Sequence, residues 1–98
     1  MNKQNGKDYI FLSKVKADVL NYIANFVKEK NYSPTLIEIG NRFGFTRSRS
    51  NAIVNDLARA NLLSKDARYP QRKIKLSHQQ LTKITSLKVN EIYPVNEI

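Results

Sequence analysis

Between positions 46 and 73 this 98-residue chain carries a dense set of hydrogen-bonding side chains. They are Thr46, Arg47, Ser48, Arg49, Asn51 and Asn55, then Arg68, Tyr69, Gln71, Arg72 and Lys73. Such a set suits recognition better than catalysis. An arginine fork matches two acceptors side by side, as on the guanine edge. Asparagine offers a donor next to an acceptor, which fits adenine, and a small Ser48 or Ala52 can lie against a thymine methyl. Lysine and arginine also neutralise phosphates. The residues for bond-breaking chemistry are missing. There is no Cys, and the one histidine, His78, has no nucleophile pattern around it. Gly6, Gly40 and Gly44 form no phosphate-cradling loop, and the eight carboxylates lack metal-ligand spacing. The chain is therefore not expected to be an enzyme, and no catalytic residue, cofactor or metal is assigned.

The net charge of +9 is unevenly placed. Residues 1–41 hold six basic and four acidic residues, and residues 76–98 hold two of each. Residues 42–75 hold nine basic residues and only Asp56 and Asp66 as acids, a net +7. A charge so concentrated marks a docking face for an anionic partner. The expected partner is double-stranded DNA. No apolar run reaches the ~18–20 residues a membrane span needs, and Met1–Asp8 lacks a signal-peptide core. With no Cys to pair, a cytoplasmic, DNA-associated location is expected.

These side chains need elements to hold them. Ser13 is a helix N-cap with Leu12 as a preceding staple, and Val15, Val19, Tyr22, Ile23, Phe26 and Val27 recur at helical spacing to about residue 30. Thr35 and Glu38 form a capping box that opens a second helix over about 36–43, with Leu36, Ile39 and Phe43 inward. Gly44 suits a left-handed helix end, Phe45 plugs the core, and Thr46 caps a third helix. Its inner face takes Ser50, Ile53, Val54 and Leu57, and Asn61 ends it. Leu62–Lys65 and Arg72–Leu76 read as strands around a basic loop, Asp66–Gln71. Ser77 and Gln80 cap a further helix over about 78–88, and Val89–Ile98 is extended.

Helix, tight turn, helix and basic hairpin in that order predict an α+β fold: a winged helix-turn-helix. It has a three-helix core, a two-stranded basic wing, an extra C-terminal helix and an extended tail. Ser33-Pro34-Thr35-Leu36-Ile37-Glu38-Ile39-Gly40-Asn41-Arg42-Phe43-Gly44-Phe45 resembles the P-T-x-x-E-I-A-x-x-L-G-F pattern of the LexA DNA-binding domain family. Asp56–Leu63 resembles the helix exit common to winged-helix regulators. The resemblance covers roughly residues 13–77 and implies duplex DNA binding, usually as a dimer on an inverted repeat. Gly40 stands where the family has Ala, a change expected to be harmless, and Ser50 stands where many winged helices place Val. That family's self-cleaving domain has no counterpart here, so no self-cleavage is expected of these residues.

The expected organisation is an arm over 1–12, a DNA-binding domain over 13–77, and a helix and tail over 78–98. In the last segment Leu81, Ile84 and Leu87 would form a dimer interface or cover the core, and a protein partner could dock there. The contacts expected to DNA are Thr35, Thr46, Arg47, Ser48, Arg49, Asn51, Asn55, Arg68, Tyr69, Gln71, Arg72 and Lys73. The leading expectation is a small bacterial, phage or plasmid repressor that occludes its operator. The alternatives are a replication initiator or DNA-packaging protein, and a winged helix that binds protein.

Overall fold

Four hydroxyls decide where the helices begin. The computed structural model describes residues 9–95. Ser13 opens α1 (Lys14–Lys30), Thr35 opens α2 (Leu36–Phe43), Thr46 opens α3 (Arg47–Arg59) and Ser77 opens α4 (His78–Ile84). Each hydroxyl accepts a backbone N–H from the first turn, a group that otherwise lacks a partner inside the helix. Both expected capping boxes are formed. Asn31 (φ 65°), Gly44 (φ 76°) and Asn61 (φ 60°) are left-handed and turn the chain after α1, α2 and α3.

The core gathers Val19, Leu20 and Ile23 of α1, Ile39 of α2, and Ile53, Val54 and Leu57 of α3, closed by Leu62, Leu63 and Ile74. The inward stripe of α1 differs from the one expected. Ala17, Leu20 and Ala24 are buried, Val15 is exposed, and Tyr22, Phe26 and Val27 are half-buried. The cause is a cover on the Ala17 and Leu20 side formed by distant parts of the chain. Tyr9–Phe11 is a strand, β1, paired antiparallel with β4 (Ile92–Pro94), with Ile10 opposite Tyr93 and Phe11 opposite Ile92. Ile10 and Leu12, expected in an arm, are buried in the common core. Residues 1–8 of that arm and the last three of the tail lie outside the described residues.

α4 also packs on α1. Ile84 is buried, and Leu81 and Leu87 pack against the core. These three residues, expected as a dimer interface or a core cover, are the cover. The helix stops at Ile84, short of the expected residue 88. Two hydroxyls turn back on the last carbonyls, Thr85 to Thr82 at 2.8 Å and Ser86 to Lys83 at 2.9 Å, and compete with continued helix.

The wing is short. β2 (Ser64–Lys65) pairs antiparallel with β3 (Ile74–Lys75). Leu62 and Leu63 lie in the turn before β2, and Arg72 and Lys73 in the loop before β3. No described helix is long and apolar enough to cross a membrane.

α2 and α3 meet at two small residues. A Cβ added to Gly40 would lie 2.7 Å from the Phe45 carbonyl oxygen, so alanine there is not harmless in this chain. Ser50 is fully buried and 3.4 Å from the same point, and its hydroxyl has no protein partner. Gly40→Ala should therefore destabilise the fold by about 1–3 kcal/mol through overpacking. Ser50→Ala should raise stability by up to about 1 kcal/mol, because it removes a buried, unpaired hydroxyl. Opposite shifts of thermal midpoint would establish both.

Candidate nucleic-acid interface

With Ile53, Val54 and Leu57 committed to the core, helical periodicity turns Arg47, Ser48 and Arg49 out to solvent at the start of α3. The Arg49 guanidinium lies 4.5 Å above the ring of Phe45, which stacks on Phe43 at 5.6 Å. Arg47 faces a cleft between the start of α2 and the wing. The cleft is lined by Thr35, Leu36 and Ile37, by Arg47, and by Pro70, Gln71 and Lys73. It continues along α3 past Ser48 and Asn51. The structure thus brings Thr35, Arg47, Ser48, Asn51, Gln71 and Lys73 onto one surface. The Thr35 and Thr46 hydroxyls each accept a cap N–H and keep their own hydrogen to donate.

Asn51 and Asn55 lie one turn apart on α3 and are half-buried. Both side-chain oxygens accept from Lys65, at 3.4 Å for Asn51 and 2.6 Å for Asn55. Lys65 was not among the expected site residues. In the wing register it sits opposite the buried Ile74, while its own side chain remains exposed. Desolvation, and then the nearby charge of Lys73, pull the Lys65 ammonium below the usual lysine range. Ile37 is a second residue missed by the sequence reading; it is an exposed apolar side chain on the cleft wall.

Arg72, expected to meet DNA, is paired within the chain. Its guanidinium donates to both carboxylate oxygens of Glu38, at 2.8 and 3.2 Å, and to the Ser33 carbonyl at 2.9 Å. It also lies 4.6 Å over the Tyr32 ring. The planar fork matches the two oxygens of a carboxylate, and here the carboxylate is built in. Arg72 thereby fastens the wing to the start of α2. The hydrogen bond from Arg72, and next that from the Thr35 N–H, hold the Glu38 carboxyl below its ordinary range.

Arg68 at the wing tip pairs with Asp66 at 2.6 Å. Its hydrogen bonds are the main cause that lowers the Asp66 carboxyl to about 2. Arg68 remains largely exposed, so the pair is weak and open to exchange. Tyr69 carries the Lys75 ammonium 4.0 Å from its ring centre. Of the nine cations in 42–75, Arg59, Arg68 and Arg72 have carboxylate partners among the described residues. Those without one include Arg47 and Lys73 on the cleft and Arg49 over Phe45. No cluster of potential metal ligands occurs among the described residues.

The family model for the LexA DNA binding domain matches residues 11–62. That span runs from the end of β1 through α3 and stops before the wing. No curated protein matches the chain.

Removal of the wing clamp should be measurable. Because the folded-state pKa of Glu38 is lowered, its contribution is present above the ordinary carboxylate range and is lost as pH falls through the lowered value. Arg72→Ala should lower stability at pH 7, and the gap from wild type should shrink toward pH 3. Urea unfolding at both pH values measures it; a gap independent of pH would place the stabilisation elsewhere.

Proposed function

The chain belongs to the LexA DNA-binding domain family, and from that premise we propose that it is a transcriptional repressor that blocks a promoter by binding its operator as a homodimer. As a member of that family it binds double-stranded DNA. The observation that carries the reading is the unoccupied pair Arg47 and Lys73, facing one cleft at the start of α3. In the proposed complex α3 enters the major groove by its N-terminal half, the end that reaches base edges in helix-turn-helix proteins. Arg47, Ser48, Arg49 and Asn51 then meet bases. The first N–H groups of α2, the hydroxyls of Thr35 and Thr46, Lys73 and Gln71 meet phosphates. Tyr69, Lys75 and an exchanged Arg68 lie along the neighbouring backbone. The protein acts as a non-enzymatic regulator resident on cytoplasmic DNA.

A homodimer needs a seam, and Leu81, Ile84 and Leu87 are engaged within the chain. The outer face of the β1–β4 ribbon is the proposed replacement. Tyr9, Phe11 and Ile92 share that face by the strand register and are each about half exposed. Large aromatic side chains bury ~150–250 Å² each when covered, against the ~800 Å² that a standard interface buries per partner. This face can therefore form the centre of a two-fold contact.

Arg47→Ala and Arg49→Ala should each cost about 1–3 kcal/mol on a selected duplex and relax base preference. Lys73→Ala should weaken all duplexes alike and reduce the salt slope by about 1. Anisotropy titrations at several salt concentrations separate the two patterns, and an Arg47/Arg49 double variant with unchanged affinity would refute the docking. Phe11→Asp should halve the mass of the DNA-free dimer in sedimentation. An unchanged mass would move the seam off the ribbon.

A further inference from the structure

We infer that Asp66 withholds the charge of Arg68 from DNA, because its carboxylate occupies the guanidinium edge that a phosphate would take. The inference rests on the proposed docking, which lays the wing along the DNA backbone, and adds to it a residue that opposes binding. The Arg68 Nε donates to both Asp66 oxygens, at 2.9 and 3.2 Å, and its Nη2 donates to one of them at 2.6 Å. A guanidinium fork that fits a carboxylate in this way also fits a phosphate. Asp66 is the one acid in residues 57–90. The other acid of the basic stretch, Asp56, lies against Lys16 and Arg59 instead.

The two partners are not held alike. The Asp66 main chain donates to the Lys73 carbonyl at 2.6 Å and accepts from the Tyr69 N–H at 3.2 Å. The Asp66 carboxylate also accepts the Arg68 backbone N–H at 3.1 Å, which fixes it in the turn. Only 19% of the Asp66 side chain is exposed, against 83% of that of Arg68. The Arg68 guanidinium has no second hydrogen-bond acceptor among the described residues, whereas that of Arg72 also holds the Ser33 carbonyl. The acid is therefore anchored, and the base can leave it. When Arg68 moves to a phosphate, the carboxylate stays in the turn, with the charge of Lys75 nearby. One ion pair then replaces another, and the wing tip adds little net charge to the complex. Asp66 is a positioning residue in this scheme, because it acts on DNA through Arg68.

The test is a double-mutant cycle in the full chain: wild type, Asp66→Asn, Arg68→Ala and both together. Each is titrated by anisotropy at several salt concentrations, on a duplex selected from a random pool and on an unrelated one. Asp66→Asn keeps an oxygen for the Arg68 N–H and removes the charge. It should tighten binding to both duplexes by about two- to fivefold. It should also steepen the salt slope by about 1, since one more phosphate is neutralised. Arg68→Ala should weaken binding more in the Asp66→Asn background than in wild type. A merely structural role for Asp66 predicts the opposite sign, because a disturbed wing binds less well. Asp66→Ser also retains an oxygen without the charge, and the same gain from it guards against a misfolded asparagine variant. Lys73→Ala serves as the control for the docking. If it weakens every duplex while Asp66→Asn and Asp66→Ser leave affinity unchanged or lower, or while Arg68→Ala costs the same in both backgrounds, the inference is overturned and the docking stands. Lys73→Ala without effect would overturn the docking itself, and the inference with it.

Discussion

Where α2 turns into α3, backbone meets backbone. The Phe45 carbonyl stands so close to Gly40 that a Cβ would come within 2.7 Å of its oxygen. The Gly40 carbonyl in turn accepts the N–H of both Gly44 and Phe45, at 2.7 and 2.9 Å. Gly44 takes the left-handed conformation that reverses the chain. The direction in which α3 leaves is thus set by main-chain contacts, and Ser50 is small enough to let it pass. With that axis given, burial of Ile53, Val54 and Leu57 leaves one face of α3 for the outside. The side chains on that face are the ones proposed to read DNA. A bulkier Gly40 would therefore shift every base contact together.

The wing depends on a different force. Two strands of two residues each bury too little to stand alone. Ile74 anchors one end in the core, and Arg72 fixes the other to Glu38. Glu38 already caps α2 through the Thr35 N–H at 2.9 Å. One carboxylate therefore ties the start of α2 to the wing across the cleft. This pairs one cation within the chain and leaves Lys73 beside Arg47 on the cleft wall.

The helix starts were legible in the sequence because their causes are local. Thr35 and Glu38, or Ser77 and Gln80, find each other within one turn. The same is true of Gly44 and Asn61 as left-handed exits. What the sequence left hidden depends on residues far apart. β1 and β4 come from opposite ends of the chain, and no short-range pattern in Tyr9–Leu12 names Ile92–Pro94 as its partner. Without that ribbon the inner face of α1 was placed too near Val15. The stripe of Leu81, Ile84 and Leu87 fits a core or a seam equally well by periodicity. The guanidinium groups of Arg47 and Arg72 are chemically identical, and only the position of Glu38 separates a cation with no carboxylate partner among the described residues from one that is paired. The asparagines of α3 were legible, but their contact with Lys65 was not.

A row of rings joins the two parts of the interface. From Arg49 it runs through Phe45, Phe43, Tyr22, Phe26 and Tyr32 to Arg72, with successive ring centres 5.6–5.9 Å apart. Aromatic contacts of this spacing are weakly attractive individually and dense enough to resist rearrangement as a set. Arg49 and Arg72 each lie 4.5–4.6 Å over a terminal ring, which limits their rotamers. A reading arginine that is already oriented loses less entropy when it meets a base. Since Arg72 holds the wing, the same row ties the wing to the reading helix. In the proposed complex, the spacing between groove and backbone contacts then follows from this row of rings.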